Sequence, residues 1–455
     1  MADHGRFHYK TIDDLRADAA RLGVVLELDH DVGILGEPVR IGRLTAPNAF
    51  VAQPMEGCDA NTDGSPGPLT IRRYQRYAQG GAGVIWFEAC AVVPEGRNSG
   101  RELWLHEDNV AEFAMALKST LDAARNAAGE AHRPLTVLQL THSGRYSKPP
   151  LIAQHNPLLD PRAALPPDHP LVDDDYLDRL QDSFVAAARL AGRAGFDVVD
   201  IKGCHGYLAS ELLAAHTREG RYGGSFENRT RFLRETVARV REQVPEVEIA
   251  SRLGVYDALP WPYGWGVDRE DAARPDLEEP RRLLGMLVGQ GLGCVNLTIG
   301  NPYYNPHYGR PYDRPASGGY IPNEHPLEGM ARIQAITGEI ARALPGLPVV
   351  AFGYTWLRQF AAHAAAAAIR RGEASLLGLG RMSLSYPDYP NDLLAGRLDP
   401  RKCCLACSQC TQIMRDGGTV GCPVFDREIY LPVLRDGRAR HAGEPMPAPQ
   451  VGTHN

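Results

Sequence analysis

Four cysteines carry the most specific chemistry in this chain. Cys404, Cys407, Cys410 and Cys422 are spaced C-x2-C-x2-C-x11-C, three on one short loop and a fourth from a later one. Such a quartet binds zinc or an iron–sulfur cluster. Zinc ribbons usually pair one C-x2-C with a second, distant C-x2-C. Three cysteines at successive x2 spacing with a remote fourth, followed here by Pro423, is the commoner pattern of a 4Fe–4S cubane. Cys403 is adjacent but breaks the x2 spacing and is the spare. Five of the nine cysteines fall between Cys403 and Cys422, which reads as a metal or cluster site in a reducing compartment, not a disulfide scaffold. Cys58, Cys90, Cys204 and Cys294 are scattered at strand ends and read as small buried thiols.

The elements that must position such chemistry alternate in type. Short apolar runs read as strands at Ala49–Gln53, Gly83–Glu88, Leu135–Leu140, Val198–Lys202, Glu248–Leu253, Cys294–Thr298, Pro348–Phe352 and Leu376–Leu379. Between them lie helical patterns at Thr70–Gln79, Val110–Ala127, Tyr176–Ala194, Arg229–Gln243, Glu279–Gly289, Leu327–Leu344 and Leu357–Arg371. Continuously apolar strands separated by helices imply a parallel sheet buried on both faces. Eight such units point to a closed (β/α)8 barrel, an α/β fold of the TIM type, with the cysteine segment appended. The expected divisions are an N-terminal extension over 1–34, the barrel over 35–398, a cluster segment over 399–430 and a loose tail over 431–455. Asn301–Pro326 is Pro-, Tyr- and Gly-rich, too long for an ordinary βα loop, and should cover the C-terminal mouth of the barrel.

Composition excludes several classes. With 455 residues, 49 Lys+Arg and 55 Asp+Glu, the net charge is 49 − 55 = −6, so no global field attracts nucleic acid or anionic membrane. No apolar run is long enough to span a bilayer, and the N-terminus lacks the pattern of a secretory signal. A cytoplasmic enzyme is expected.

Seven motifs then carry a resemblance. QPMEGCD (Gln53–Asp59), GGAGVIWFEACAVVPEGR (Gly80–Arg97), LQLTHSGR (Leu138–Arg145), CHGYL (Cys204–Leu208), YGGSFENRTRF (Tyr222–Phe232), SRL (Ser251–Leu253) and LGLGR (Leu377–Arg381) resemble the old yellow enzyme superfamily of FMN oxidoreductases, over roughly residues 35–400. The added cysteine segment looks like the iron–sulfur branch, which includes 2,4-dienoyl-CoA reductase and trimethylamine dehydrogenase. Those relatives continue into FAD- and nucleotide-binding domains, and this sequence stops after the cysteines.

The resemblance implies roles. Gly353 with Tyr354 and Gly380 with Arg381 occupy the loops after strands seven and eight, where a barrel binds phosphate. Gln139 faces the pyrimidine edge of the flavin, and Arg252 the N1 and O2 side, where negative charge develops. Pro54, Met55 and Ala89 contact the ring mainly through backbone and packing. Lys202 and His205 match the pair that binds the substrate's carbonyl oxygen, and Tyr207 the proton donor. Two departures stand out. Lys202 replaces the usual His and suits a more anionic substrate group. Glu56 stands where relatives carry Thr or Cys; as a carboxylate near the flavin it needs a proton or a partner, for which Lys202 is the candidate. Tyr303, Tyr304 and His307 are substrate-contact candidates.

The reading is an FMN- and 4Fe–4S-dependent oxidoreductase that reduces an activated C=C bond of a small-molecule, anionic substrate. NAD(P)H is an external donor and a flavoprotein or ferredoxin-like protein a separate redox partner; a homo-oligomer is compatible. The alternatives are an amine or alcohol dehydrogenase sending electrons out through the cluster, and a non-catalytic electron-transfer subunit.

Overall fold

The computed structural model describes residues 5–441; positions 442–455 of the expected tail lie outside the described residues. Eight parallel strands close on themselves: β1 (Phe50–Ala52), β2 (Val84–Ala91), β3 (Leu135–Thr141), β4 (Val198–Ile201), β5 (Glu248–Tyr256), β6 (Leu292–Ile299), β7 (Val349–Ala351) and β8 (Leu376–Leu379). Closure runs through β1, which pairs with β8 at Phe50 and Leu377 and with β2 at Val51 and Val84. Each strand falls on an apolar run read from the sequence. The helices follow the same alternation, from Pro68–Gln79 after β1 to Ala361–Arg370 after β7.

Period-two alternation splits the strands' side chains between two cores. Outward residues pack under the helices in one large cluster. Inward residues at the N-terminal end, among them Val51, Trp86, Val137, Val198, Ala250 and Leu376, form a second cluster. The hairpin Val39–Ile41/Leu44–Ala46 plugs it with Ile41 and Ala46. Farther along the same inward rows, polar residues replace apolar ones, so the open end of the barrel is its C-terminal mouth.

The expected N-terminal extension is part of this packing. Thr11 and Asp14 form a capping box on helix Ile12–Arg21, which buries Ile12, Leu15 and Ala19. Its following strap bonds to the last long barrel helix, Asp29 N–H donating to His363 O at 2.9 Å.

Two expectations require correction. The helix read from Leu357 begins at Ala361, because Arg358 adopts φ 50°, ψ −120°; its guanidinium is held by Asp313 at 2.9 Å and covers the Phe7 ring. The tail read as loose from 431 instead continues a helix over Arg427–Arg440. That segment is anchored where Asp426 accepts from Arg72 at 2.7 and 3.0 Å and from Arg76 at 2.5 Å. Among the described residues no helix is long and apolar enough to cross a membrane.

Candidate active site

A cavity of about 350 Å³ opens at the C-terminal mouth, a size that suits a small-molecule or cofactor site. Its floor is a buried polar layer. Gln53 and Asn296 exchange reciprocal amide bonds at 3.0 and 2.8 Å. A Cβ on Gly378 would come 1.9 Å from Gln53 Nε2, so only glycine leaves this pair intact.

Asp200, two residues inward of Lys202 on β4, organises the layer. Its Oδ2 accepts from Trp86 Nε1 at 2.8 Å and Gln139 Nε2 at 2.6 Å, and its Oδ1 from Arg252 N–H at 2.6 Å. Burial raises its pKa to about 6, opposed by those three donors, and above that pH it is a carboxylate that fixes the amide of Gln139. With Nε2 committed to Asp200, Gln139 presents its oxygen to a ligand N–H. Arg252 is half-buried, bonds Pro54 O at 3.3 Å through Nη1, and leaves its buried Nε without a partner. Burial lowers its pKa. A buried donor left open is costly unless a ligand acceptor meets it.

At the other end, β7 and β8 deliver Gly353, Gly380 and Arg381 to the cavity wall. Gly353 has φ 80°, and a Cβ there would lie 2.7 Å from Ile333. Pro54, Met55, Glu56 and Ala89 line the same cavity from β1 and β2. An acceptor for a ring N–H, an open guanidinium and an anion end fit FMN.

The wall opposite that floor comes from the loop after β4. His205 and Gly206 both take left-handed conformations, φ 68° and 70°, a strained turn for His205 that aims Lys202, His205 and Tyr207 at one space. Lys202 Nζ lies 3.6 Å from the centroid of the Tyr207 ring. The Tyr207 hydroxyl meets that of Tyr303 at 3.4 Å, and Tyr303 stacks on Tyr146 at 3.5 Å. Burial, with Arg252, Lys202 and Arg310 nearby, drives His205 well below the usual histidine range, so its ring is neutral. Burial holds the Tyr207 phenol well above its ordinary value and pulls Lys202 below its own.

The expected contact pair of Lys202 with Glu56 is not formed among the described residues: Glu56 accepts from Asn98 Nδ2, and its charge acts on Lys202 only through space. Asn98 also donates its backbone N–H to Glu102. Glu102 is fully buried, and burial with the Glu56 charge pushes its pKa well above the carboxylate range. A neutral Glu102 has a direct consequence. Glu102→Gln keeps the shape of the protonated acid, so at pH 7 its thermal unfolding should equal or exceed wild type. The unfolded acid ionises near its ordinary pKa while the folded one stays protonated. Wild-type stability therefore declines as pH rises from the unfolded value towards the folded one, and the variant's does not. Unfolding curves from pH 4.5 to 8 should diverge in the variant's favour; a variant losing more than about 2 kcal/mol at pH 7 would show that Glu102 is buried ionised.

Three expected site residues lie elsewhere. Tyr354 turns its side chain into the core, 1 % exposed. Tyr304 does not line the cavity and lies under Arg162, and His307 is tied to Tyr320 at 2.5 Å. Sequence reasoning missed Asp200, Glu102 and Asn296, although Asp200 and Asn296 sit at inward positions of apolar strands, a signal that parity exposes. Arg310 and Arg415, which also line the cavity, come from the long loop and the C-terminal segment, where no periodicity marks them.

Beyond Arg381 lies a second, small cavity, of about 20 Å³, lined by Cys404, Cys407, Cys410 and Cys422 with Pro423. Ala406 and Ser408 take positive φ, 49° and 56°, curling the loop, and Ala406 N–H points at Cys404 Sγ at 3.4 Å. Cys403 is buried and does not line this cavity. Among the described residues no three His, Cys, Asp or Glu side chains converge on a single-ion position.

Comparison with known proteins agrees with this architecture. The NADH oxidase of Thermoanaerobacter brockii is 27% identical over 375 residues, 81% of this chain and 52% of that protein. The NADPH dehydrogenase of Bacillus pumilus is 36% identical over 213 residues, 46% of this chain and 60% of its own length. The chain thus spans about half the length of the curated relatives it matches. A 2-naphthoyl-CoA reductase structure superposes with a TM-score of 0.69 at 19% identity, over 90% of this chain and 58% of that one; at that identity it shows the fold. The NADH:flavin oxidoreductase / NADH oxidase family model matches residues 35–266. With the barrel, the polar floor and the β4 loop in place, the chain belongs to that family, the old yellow enzyme family.

Proposed function

We propose that this protein is an FMN- and 4Fe–4S-dependent oxidoreductase that reduces an activated C=C bond in a substrate bearing an anionic group. One observation carries the reading: a single cavity has Gln139 and Arg252 on its floor and Lys202, His205 and Tyr207 on its facing wall. Bound FMN supplies the hydride. Gln139 accepts from the ring edge, Arg252 balances charge beside it, and Arg381 with the backbone of Gly353 and Gly380 holds the phosphate. His205, neutral, donates its N–H to the substrate oxygen as negative charge builds there, and Lys202 adds a positive charge. Tyr207 keeps its proton until the substrate's α-carbon becomes basic enough to take it. The cationic wall opposes an ammonium substrate, which disfavours amine oxidation.

The cysteine quartet supports a cubane. Its C-x2-C-x2-C-x11-C spacing is the commoner cubane pattern, and all four cysteines line one small cavity. For a reductase, such a centre would carry electrons from a separate redox partner inward to the flavin. Anaerobically purified protein should hold about one FMN, about four iron and about four acid-labile sulfides per chain. Cys407→Ala should abolish the iron and sulfide. Stoichiometric zinc without sulfide would overturn the cluster, and a protein that never binds FMN would overturn the whole reading.

A further inference from the structure

Resting on that reading, we infer that Arg381 belongs to both cofactor sites at once, so that its charge sets the reduction potential of the iron–sulfur centre as well as the affinity for FMN. Arg381 lines the flavin cavity and is also the one charged residue lining the cysteine cavity. It is 6 % exposed, its guanidinium donates to Pro311 O at 2.9 Å, and among the described residues it has no carboxylate partner. A buried guanidinium without an anion is costly.

Its backbone is held against the cysteine loop. Arg381 opens the turn Arg381–Ser385 directly after β8, and the next residue, Met382, accepts the Cys404 N–H on its sulfur at 3.4 Å. The charge count points the same way. Arg310 and Arg415 line the flavin cavity beside it, also without carboxylate partners; Arg310 donates to Thr411 Oγ1 at 2.7 Å and Arg415 to Ser317 O at 3.0 Å. Three such cations exceed what one phosphate dianion balances. Four thiolates around an iron–sulfur cube carry net negative charge, and of the three arginines Arg381 alone lines the cavity they surround, while Cys410 also acts on Arg310 through space. A fixed positive charge there favours the reduced, more negative state of the centre and raises its potential.

The test measures two quantities on the holoprotein: the centre's midpoint potential by EPR-monitored titration, and the FMN dissociation constant by fluorescence quenching. In Arg381→Met the potential should shift to more negative values, and FMN should bind at least about ten-fold more weakly. Arg381→Lys, which keeps the charge but loses the fork, should restore the potential while FMN binding stays weak. Wild type supplies a reading that needs no substitution: stripping FMN removes a dianion from beside Arg381, and the potential should rise. A full iron and sulfide complement with a potential unmoved in Arg381→Met, or identical with and without FMN, overturns this inference alone. Wild-type protein lacking sulfide overturns the cluster reading and this inference with it.

Discussion

In Tyr207→Phe, turnover of an activated alkene should fall by about 10²–10⁴-fold, the range for loss of a general acid, while FMN binding and its reduction by an external donor stay at wild-type levels. The substitution is clean because phenylalanine keeps the ring beneath Lys202 Nζ, 3.6 Å from the centroid, and removes only the hydroxyl. That hydroxyl sits within the cavity wall at 3.4 Å from Tyr303 Oη, and burial keeps it protonated over the working pH range. Stopped-flow measurement of the two half-reactions separates the outcomes. An unchanged oxidative half-reaction would make Tyr207 a packing residue and leave water or Glu56 as the proton source.

Lys202→Met should lower substrate affinity or turnover by the equivalent of about 2–5 kcal/mol, the cost of leaving a buried anionic partner unmatched. The FMN spectrum and thermal stability should change little. A contact pair with Glu56 would leave a stranded carboxylate in the variant and shift the flavin potential; Asn98 holds Glu56, and on the proposed reading the substrate loses the charge. The pH dependence gives a second check. Burial lowers the Lys202 pKa, so wild type should lose affinity for an anionic substrate as pH rises through that lowered value, and the variant should show no such step. A variant unaltered in turnover, potential and stability would make the lysine charge irrelevant.

Much of the barrel was legible from residue order. A parallel strand buried on both faces must be continuously apolar, and a helix packed on it must repeat near 3.6, so all eight strands could be placed before their neighbours were known. The loop after β4 was legible through its resemblance, because Lys202, His205 and Tyr207 lie within six consecutive residues. The tyrosine-rich loop was read less well. Tyr303, Tyr304 and His307 look equivalent in sequence, and only Tyr303 lines the cavity, since in an aperiodic segment no rule says which side chain faces inward.

What the sequence by itself determined is therefore local: strand and helix periods, the four-cysteine spacing, and the identity of residues at strand ends. The tertiary structure alone decided the long-range pairings. Glu56 meets Asn98 across 42 positions, Gln53 meets Asn296 across 243, and Arg310 meets Thr411 across 101. Closing the barrel brings distant strand ends within a few ångströms, and which polar groups then satisfy one another depends on register and side-chain reach. The same closure lets Arg381 line both cavities, a position that its place after Gly380 does not disclose.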